Sequence, residues 1–297
     1  MKKYKRLLGY ILFAAILTAV LLYWRFPSEA VRQYLQAAAG RFDPHLAVTV
    51  HDVRPVLPFG LEISKAELGL KERPGLSLFK ADSFVVMPSL RVLVLGRPAF
   101  RFDCKAYGGE IQGVISFKKY SLEGPFDTEI QVNSVRLGRH LSLKELFKRE
   151  MTGEINATVN YTCSKGNFLL GGGSGDISVS NGSIRFAQPF LNMESFDFER
   201  LDAKIVLEEQ RISLDSFDFK GKQMEGKVSG TIHLSPNFES FARSNLNLTV
   251  AAKAFPSLFK EMGGLLDVTR FLGQGSKDGS FTITIRGTVA QPRISFG

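Results

Sequence analysis

The chain has 297 residues, 44% hydrophobic and 23% charged, which excludes wholesale disorder and leaves room for one large domain or two average ones. Its formal charge of +9 points at first to nucleic acid or an anionic membrane. However, Lys2, Lys3, Lys5, Arg6 and Arg25 all lie in the first 26 positions, where there is no acid, and the remainder carries 33 basic (38 less these five) against 29 acidic side chains. A balance of +4 does not describe a polyanion-binding body, so no nucleic-acid partner is expected.

Leu7 to Trp24 is an uncharged run of 18 residues. As a helix it spans roughly 27 Å, close to the hydrocarbon thickness of a bilayer. The basic cluster before it keeps residues 1–6 in the cytoplasm, and Tyr23 and Trp24 suit the far interface. A cleaved signal peptide is the competing reading, but the run is long for that purpose and no clear Ala-x-Ala site precedes Phe26. The expected organisation is a cytoplasmic segment (1–6), a single transmembrane helix (7–26), a juxtamembrane helix (27–41) and a β-rich domain beyond the membrane (42–297).

Pro27 and Ser28 open the juxtamembrane helix, with Ser28 as N-cap. Ala30, Val31, Tyr34, Leu35 and Ala38 form its apolar face and Gly40 ends it. Alternation then takes over. Phe59, Leu61 and Ile63 alternate; Ala66, Leu68 and Leu70 resume in shifted phase, which predicts a bulge. Strands follow at 83–86, 90–95, 99–102, 111–117, 129–137, 155–161, 177–179, 184–186, 201–207, 212–219, 228–234, 246–251, 281–285 and 293–296. Glu208, Glu209 and Gln210 form a hairpin turn between two of them. Short helices are predicted from Ser142 to about Arg149, on a capping-box spacing with Glu145, and from Pro256 onward, with Leu258, Phe259, Met262, Leu265, Leu266 and Phe271 for burial. Repeated short strands separated by turns predict an antiparallel, mainly β fold.

One pattern recurs. Gly109-Glu110-Ile111-Gln112-Gly113-Val114-Ile115 matches Gly226-Lys227-Val228-Ser229-Gly230-Thr231-Ile232, and a looser copy runs from Gly153 to Val159. Alternate residues of a strand share a face, so Gly109, Ile111, Gly113 and Ile115 form one apolar face, as do Gly226, Val228, Gly230 and Ile232. The opposite face is mostly polar: Glu110 and Gln112, then Lys227, Ser229, Thr231 and His233. Glycine weakens a strand unless bending or close approach requires it. Two explanations stay open, a sheet curling around something apolar and a closed core in which the glycines make room for Phe.

Tyr107-Gly108-Gly109-Glu110-Ile111-Gln112-Gly113 resembles the glycine-punctuated strands of AsmA-like proteins, and so does the segment from Gly175 to Ile184. The ending from Ile285 to Ile294 is similar to the close of such repeats. With its basic N-terminus, one anchor and about 300 residues, the chain as a whole resembles the type II secretion system protein N family. The resemblance implies an inner-membrane protein with a periplasmic domain, non-enzymatic and associated with other secretion-system subunits. The wider AsmA-like group implies a curved, elongated antiparallel sheet whose apolar groove suits lipid acyl chains. No catalytic residue, metal or cofactor comes with either. A lipid-binding or lipid-transfer module serving the envelope is the alternative function.

Reactive constellations are missing from the sequence. Gly171-Gly172-Gly173-Ser174-Gly175 lacks the Lys-Ser/Thr pair of a phosphate-binding loop and the spacing of a nucleophile elbow, and is expected to be a turn. Asp43, His45, His51 and Asp52 read as solvated loop residues rather than a metal cluster. His140 and His233 have no Ser or Cys neighbour that would make a nucleophilic pair. Asn156, Asn160, Asn181 and Asn247 begin Asn-x-Ser/Thr triplets, inert without glycosylation machinery. Cys104 and Cys163 lie beyond the anchor in an oxidising compartment, and are either one disulfide or two separately buried thiols.

Overall fold

The computed structural model describes residues 9–11, 13–14, 17–18, 20–21, 23–42, 46–57, 59–71, 73–89, 98–119, 124–139, 150–163, 171–190, 193–235, 243–256, 258 and 279–296. The chain is mainly β, and every pairing between its fifteen strands is antiparallel. It divides into two compact units, Met1–Met87 and Pro88–Gly297. The juxtamembrane helix packs on the first strands and belongs to the first unit with them.

In the first unit, residues of 9–24 that are described are helical, with Ile11, Phe13, Leu17, Val20 and Leu21 exposed. Among the described residues no helix is long and apolar enough to cross a membrane, and the expected span falls partly outside them. Helix α1 (Ser28–Phe42) follows, two residues longer than Gly40 suggested. Strands β1 (Leu46–Thr49) and β2 (Asp52–Val56) pair with successive stretches of β3 (Gly60–Leu70), which pairs with β4 (Arg73–Pro88). Val50, Val53 and Ile63 form the core, and Phe26, Val31, Leu35, Leu61 and Phe84 pack against it. Tyr34, assigned by spacing to the apolar face of α1, is exposed instead. The bulge expected between Ile63 and Ala66 is not a slip in the β3–β4 register, which runs unbroken through Ser64–Ser83 and Ala66–Ala81; Lys65 takes a φ of 51° there, and the shifts fall between Leu68 and Leu70.

The second unit is an antiparallel meander in chain order. Its strands are β5 (Ala99–Ala106), β6 (Gly109–Phe117), β7 (Phe126–Arg136), β8 (Met151–Cys163), β9 (Gly172–Phe190) and β10 (Met193–Glu208). It continues through β11 (Arg211–Gly221), β12 (Met224–His233), β13 (Asn245–Ala254), β14 (Ser280–Thr288) and β15 (Pro292–Phe296). Two-residue turns close two hairpins: Tyr107-Gly108 and Glu209-Gln210 have positive φ at both positions, matching the twist of the flanking strands. The strands expected at 177–179 and 184–186 are one, β9, because Asn181 and Gly182 stay paired to β10 or flank paired residues rather than turning. The glycine run at 171–175 is likewise no turn. It enters β9, with Gly173 opposite Tyr161 and Gly175 opposite Val159 and Ile205, where bulky neighbours occupy the space above glycine. Helices expected at 142–149 and beyond Leu258, and the strand at 90–95, lie outside the described residues. Pro256 and Leu258 are helical, and Leu258 is buried against Phe219, Ala252, Phe281 and Ile283.

Candidate functional site

Register decides which side chains share a face. Starting at Phe102, directly paired residues run Gly113, Ile130, Val159, Gly175, Ile205, Leu214, Gly230, Leu248, Ile285 and Ile294, one from each strand from β5 to β15. Every member is apolar or glycine. The adjacent row runs Cys104, Ile111, Val132, Ala157, Ile177, Ala203, Phe217, Val228, Val250 and Ile283, again without a polar residue. A third row, on the other side, holds Phe100, Ile115, Thr128, Tyr161, Gly173, Leu207, Ile212, Ile232 and Leu246. At about 4.8 Å per strand, ten spacings make this apolar face roughly 48 Å across.

The residues singled out by the repeat meet on this face. Ile111 shares a row with Val228, Gly113 with Gly230, and Ile115 with Ile232, six strands apart. Gly226 lies one step further along, opposite Phe219 and Ala252. Gly109 pairs with Ala106 beside the irregular backbone at Ser134. The looser copy is offset: Ala157, matched to Gly113 in sequence, falls in the row of Ile111. Gly175 was not part of the matched pattern, yet it puts a third glycine in the same row, at β6, β9 and β12.

Both explanations offered for the glycines have a counterpart. Phe rings do fill glycine positions: Phe102 lies over Gly113, Phe219 over Gly226, and Phe196 over Gly221. This is cross-strand packing of an aromatic on a glycine. Yet among the described residues the face is not closed. One end is buried, at Phe219, Ala252, Phe281 and Leu258, while Ile111, Ile115, Ile130, Val159, Ile205, Leu214, Val228, Ile232, Leu248 and Ile285 are only half-buried. Register shifts put an extra residue into β7 between Val132 and Val135, β9 between Ser180 and Ser183, β10 between Phe198 and Arg200 and β11 between Leu214 and Phe217. Each adds a local bend and twist to its strand.

The opposite face is polar and balanced. Lys227 pairs with Asp218 at 3.4 Å, Lys220 with Glu199 at 3.1 Å, Lys118 with Asp127 at 3.1 Å and Lys204 with Asp176 at 3.8 Å. Such exposed pairs stabilise little, but they set opposite charges side by side along the face. Gln112 donates to Asp103 at 3.2 Å. Partial burial, and then the nearby Glu110 carboxylate, push the Asp103 carboxyl above its usual range. At Asp127 partial burial acts upward, but the Thr162 hydroxyl at 2.8 Å and Lys118 outweigh it and hold the group low. Burial pushes the Tyr161 phenol up, with the neighbouring Cys163 adding to the effect.

Residues considered for chemistry do not converge. His51 is exposed, and Asp52 pairs with Arg54 at 2.7 Å. His233 lies on the polar face between Arg211 and Asn245, while Asp43, His45 and His140 lie outside the described residues. Among the described residues no group of three His, Cys, Asp or Glu is placed to hold a metal. Cys104 and Cys163 are both buried and are not joined to each other. They sit three strands and three rows apart, about 14 Å across the sheet and about 20 Å along it. That is far beyond the roughly 7 Å limit between Cα atoms for a disulfide.

Sequence reasoning missed most of the face. It named the two glycine-bearing strands and not Phe102, Ile130, Val159, Ile205, Leu214, Leu248 or Ile285. Each of those strands alternates visibly; the pairing that aligns them was the missing information. Comparison with protein-family models, with characterised proteins and with solved structures finds no match to this chain.

Proposed function

We propose that this is a non-enzymatic protein of the bacterial envelope, held in the inner membrane by residues 7–24 with its β-rich part in the periplasm, and that its apolar sheet face binds lipid acyl chains. One observation carries the reading: an apolar face that spans eleven strands and is left only partly buried over most of them. A sheet face that packs against another layer is normally buried, and large exposed apolar patches mark interaction surfaces. An acyl chain in one leaflet extends about 15 Å, half the hydrocarbon thickness, so it would cross three or four strands. The bends introduced by the register shifts favour the curved sheet that such a groove needs. The exposed apolar side chains of 9–24 favour the anchor.

A second reading, a structural component of a type II secretion system contacting other subunits, is favoured by the Phe rings packed over the glycines, which fill space a groove would leave open. Photo-crosslinking separates the two. A benzoylphenylalanine at Ile130 or Leu248 faces the apolar side, and one at the neighbouring Gln131 or Thr249 faces the polar side. In native membranes, lipid adducts at the first pair and not the second support lipid binding. Protein adducts at the first pair in place of lipid would favour the secretion component.

A further inference from the structure

The first unit exposes two large apolar side chains at the tip of the β2–β3 hairpin. Leu57 is 71% exposed and Phe59 69% exposed. Phe59 alternates with Leu61 and Ile63 in the sequence, yet it is exposed. Singly scattered exposed apolar residues are ordinary, but these two lie at the end of a particular face. Val53 pairs with Ile63, Pro55 with Leu61 and Val56 with Gly60; Leu57 and Phe59 follow directly in the turn beyond the last pair. Helix α1 covers that face through Val31 and Leu35, at Val50, Val53 and Ile63, and Phe26 packs there too. Beyond Leu61 the cover stops.

Chain direction says where the uncovered part lies. α1 ends at Phe42, β1 begins at Leu46 and α1 packs against both β1 and β2; a helix whose end is tied to the start of β1 and which also reaches β2 runs antiparallel to them. The fifteen residues of α1 cover about 22 Å, whereas 46–56 covers about 36 Å if fully extended. The start of α1 therefore lies level with the middle of β2, near Val53, in keeping with Phe26 packing against that core. The tip projects past it by on the order of 10 Å, toward the side from which the chain enters out of residues 9–24.

We infer that the Leu57–Phe59 tip is a second membrane contact, inserted into the interfacial layer of the leaflet next to Tyr23 and Trp24. The inference rests on the reading of residues 7–24 as an anchor. A bilayer surface is the occupant that the position of the tip selects, because the helix that places Phe26 in the core would carry the membrane to the same level. Two apolar side chains at a hairpin tip bind a membrane weakly alone. Beside an anchor they need supply no affinity, since insertion becomes intramolecular, and their effect is to fix the tilt of the first unit against the bilayer.

The test uses the full chain in phosphatidylcholine vesicles containing lipids brominated at defined depths. Trp24 is the single tryptophan and reports on the anchor. Phe59→Trp combined with Trp24→Phe reports on the tip, and Thr49→Trp with Trp24→Phe, on an exposed residue at the end of β1 about 26 Å along the extended chain from the tip, is the distant control. The expected result is a blue-shifted tip emission, quenched by bromines near the headgroup and less by deeper ones, with residue 49 unquenched. Quenching of Trp24 without quenching at residue 59 overturns the tip contact and leaves the anchor standing. An unquenched Trp24 removes the anchor reading and the tip inference with it.

Discussion

Gly230 gives the sharpest test of how the sheet is built. It sits in the central apolar row, opposite Leu214 and Leu248, with a φ of 130°. A methyl group added there would run into the Asn247 carbonyl oxygen and come within 2.9 Å of the Leu248 Cα. Those are backbone atoms of the paired strand and cannot rotate aside. Holding a non-glycine residue in this region costs roughly 1–3 kcal/mol, and forcing extra volume into a packed site about as much again. Against this, alanine restricts the unfolded chain by about 0.4–1 kcal/mol. Gly230→Ala should therefore destabilise the second unit by on the order of 3 kcal/mol. At about 2–4 °C per kcal/mol for a unit of this size, the melting temperature falls by roughly 6–12 °C. Ser229→Ala, on the exposed polar face of the same strand, should stay within about 0.5 kcal/mol of the parent. Urea unfolding gives the difference through the midpoint, with the slope unchanged if only stability moves. A Gly230→Ala protein as stable as Ser229→Ala would refute the close approach of β12 and β13 at this point and the backbone geometry behind it.

Three further outcomes follow from single residues. The Asp103 carboxyl titrates high when folded, so its contribution favours the folded state below its unfolded value of about 3.9 and is lost as pH rises through the folded value; Asp103→Asn should raise the melting temperature at pH 7, with the gain vanishing below about pH 4. Glu209 and Gln210 hold φ of 42° and 69°, and Asn-Gly at these positions should stabilise the hairpin by on the order of 1 kcal/mol in a denaturant titration. With Cys104 and Cys163 too far apart to bond, a reducing agent should leave the melting temperature and non-reducing gel mobility of the monomer unchanged; a reduction-sensitive band would contradict the register between β5 and β8.

Strands were legible wherever alternation ran on past four residues, as at 111–117, 201–207 and 246–251, because a one-sided sheet writes its two faces directly into odd and even positions. β1 and β2 were not, since Leu46 to Val56 is interrupted at Val50 and His51 and carries Pro55 in a strand. The glycine run at 171–175 was misread because local turn preference was weighed without Tyr161, Val159 and Ile205, the residues across the strand that make glycine suitable there. The repeat put eight positions on one alternating face, but only through the two strands where glycine made it conspicuous. Alignment of eleven strands into shared rows depends on hairpin turns and bulges such as those at Val132 and Leu214. Each shifts register by a residue or two and leaves little trace in the sequence.

The energetics of the face say what kind of binding to expect. Fully burying a Leu or Ile stabilises by about 1.5–3 kcal/mol, so a half-buried one retains on the order of 1 kcal/mol to be gained on cover. An acyl chain crossing three or four strands over two rows covers about five such side chains, the other positions being Gly or Ala, a gross gain of roughly 5 kcal/mol. The chain itself gains nothing, because it leaves one apolar medium for another. Worse, the sheet shields one side of it while the other side meets water, a loss of similar size. The two nearly cancel, so a single-layer face should exchange lipid with a membrane rather than retain it. Lipid adducts at Ile130 and Leu248 should accordingly scale with the lipid present and fall steeply when detergent-solubilised protein is diluted or delipidated before irradiation. One lipid retained at fixed stoichiometry through delipidation would mean that the other side of the acyl chain is also covered, and would refute the open face from which the exchange is argued.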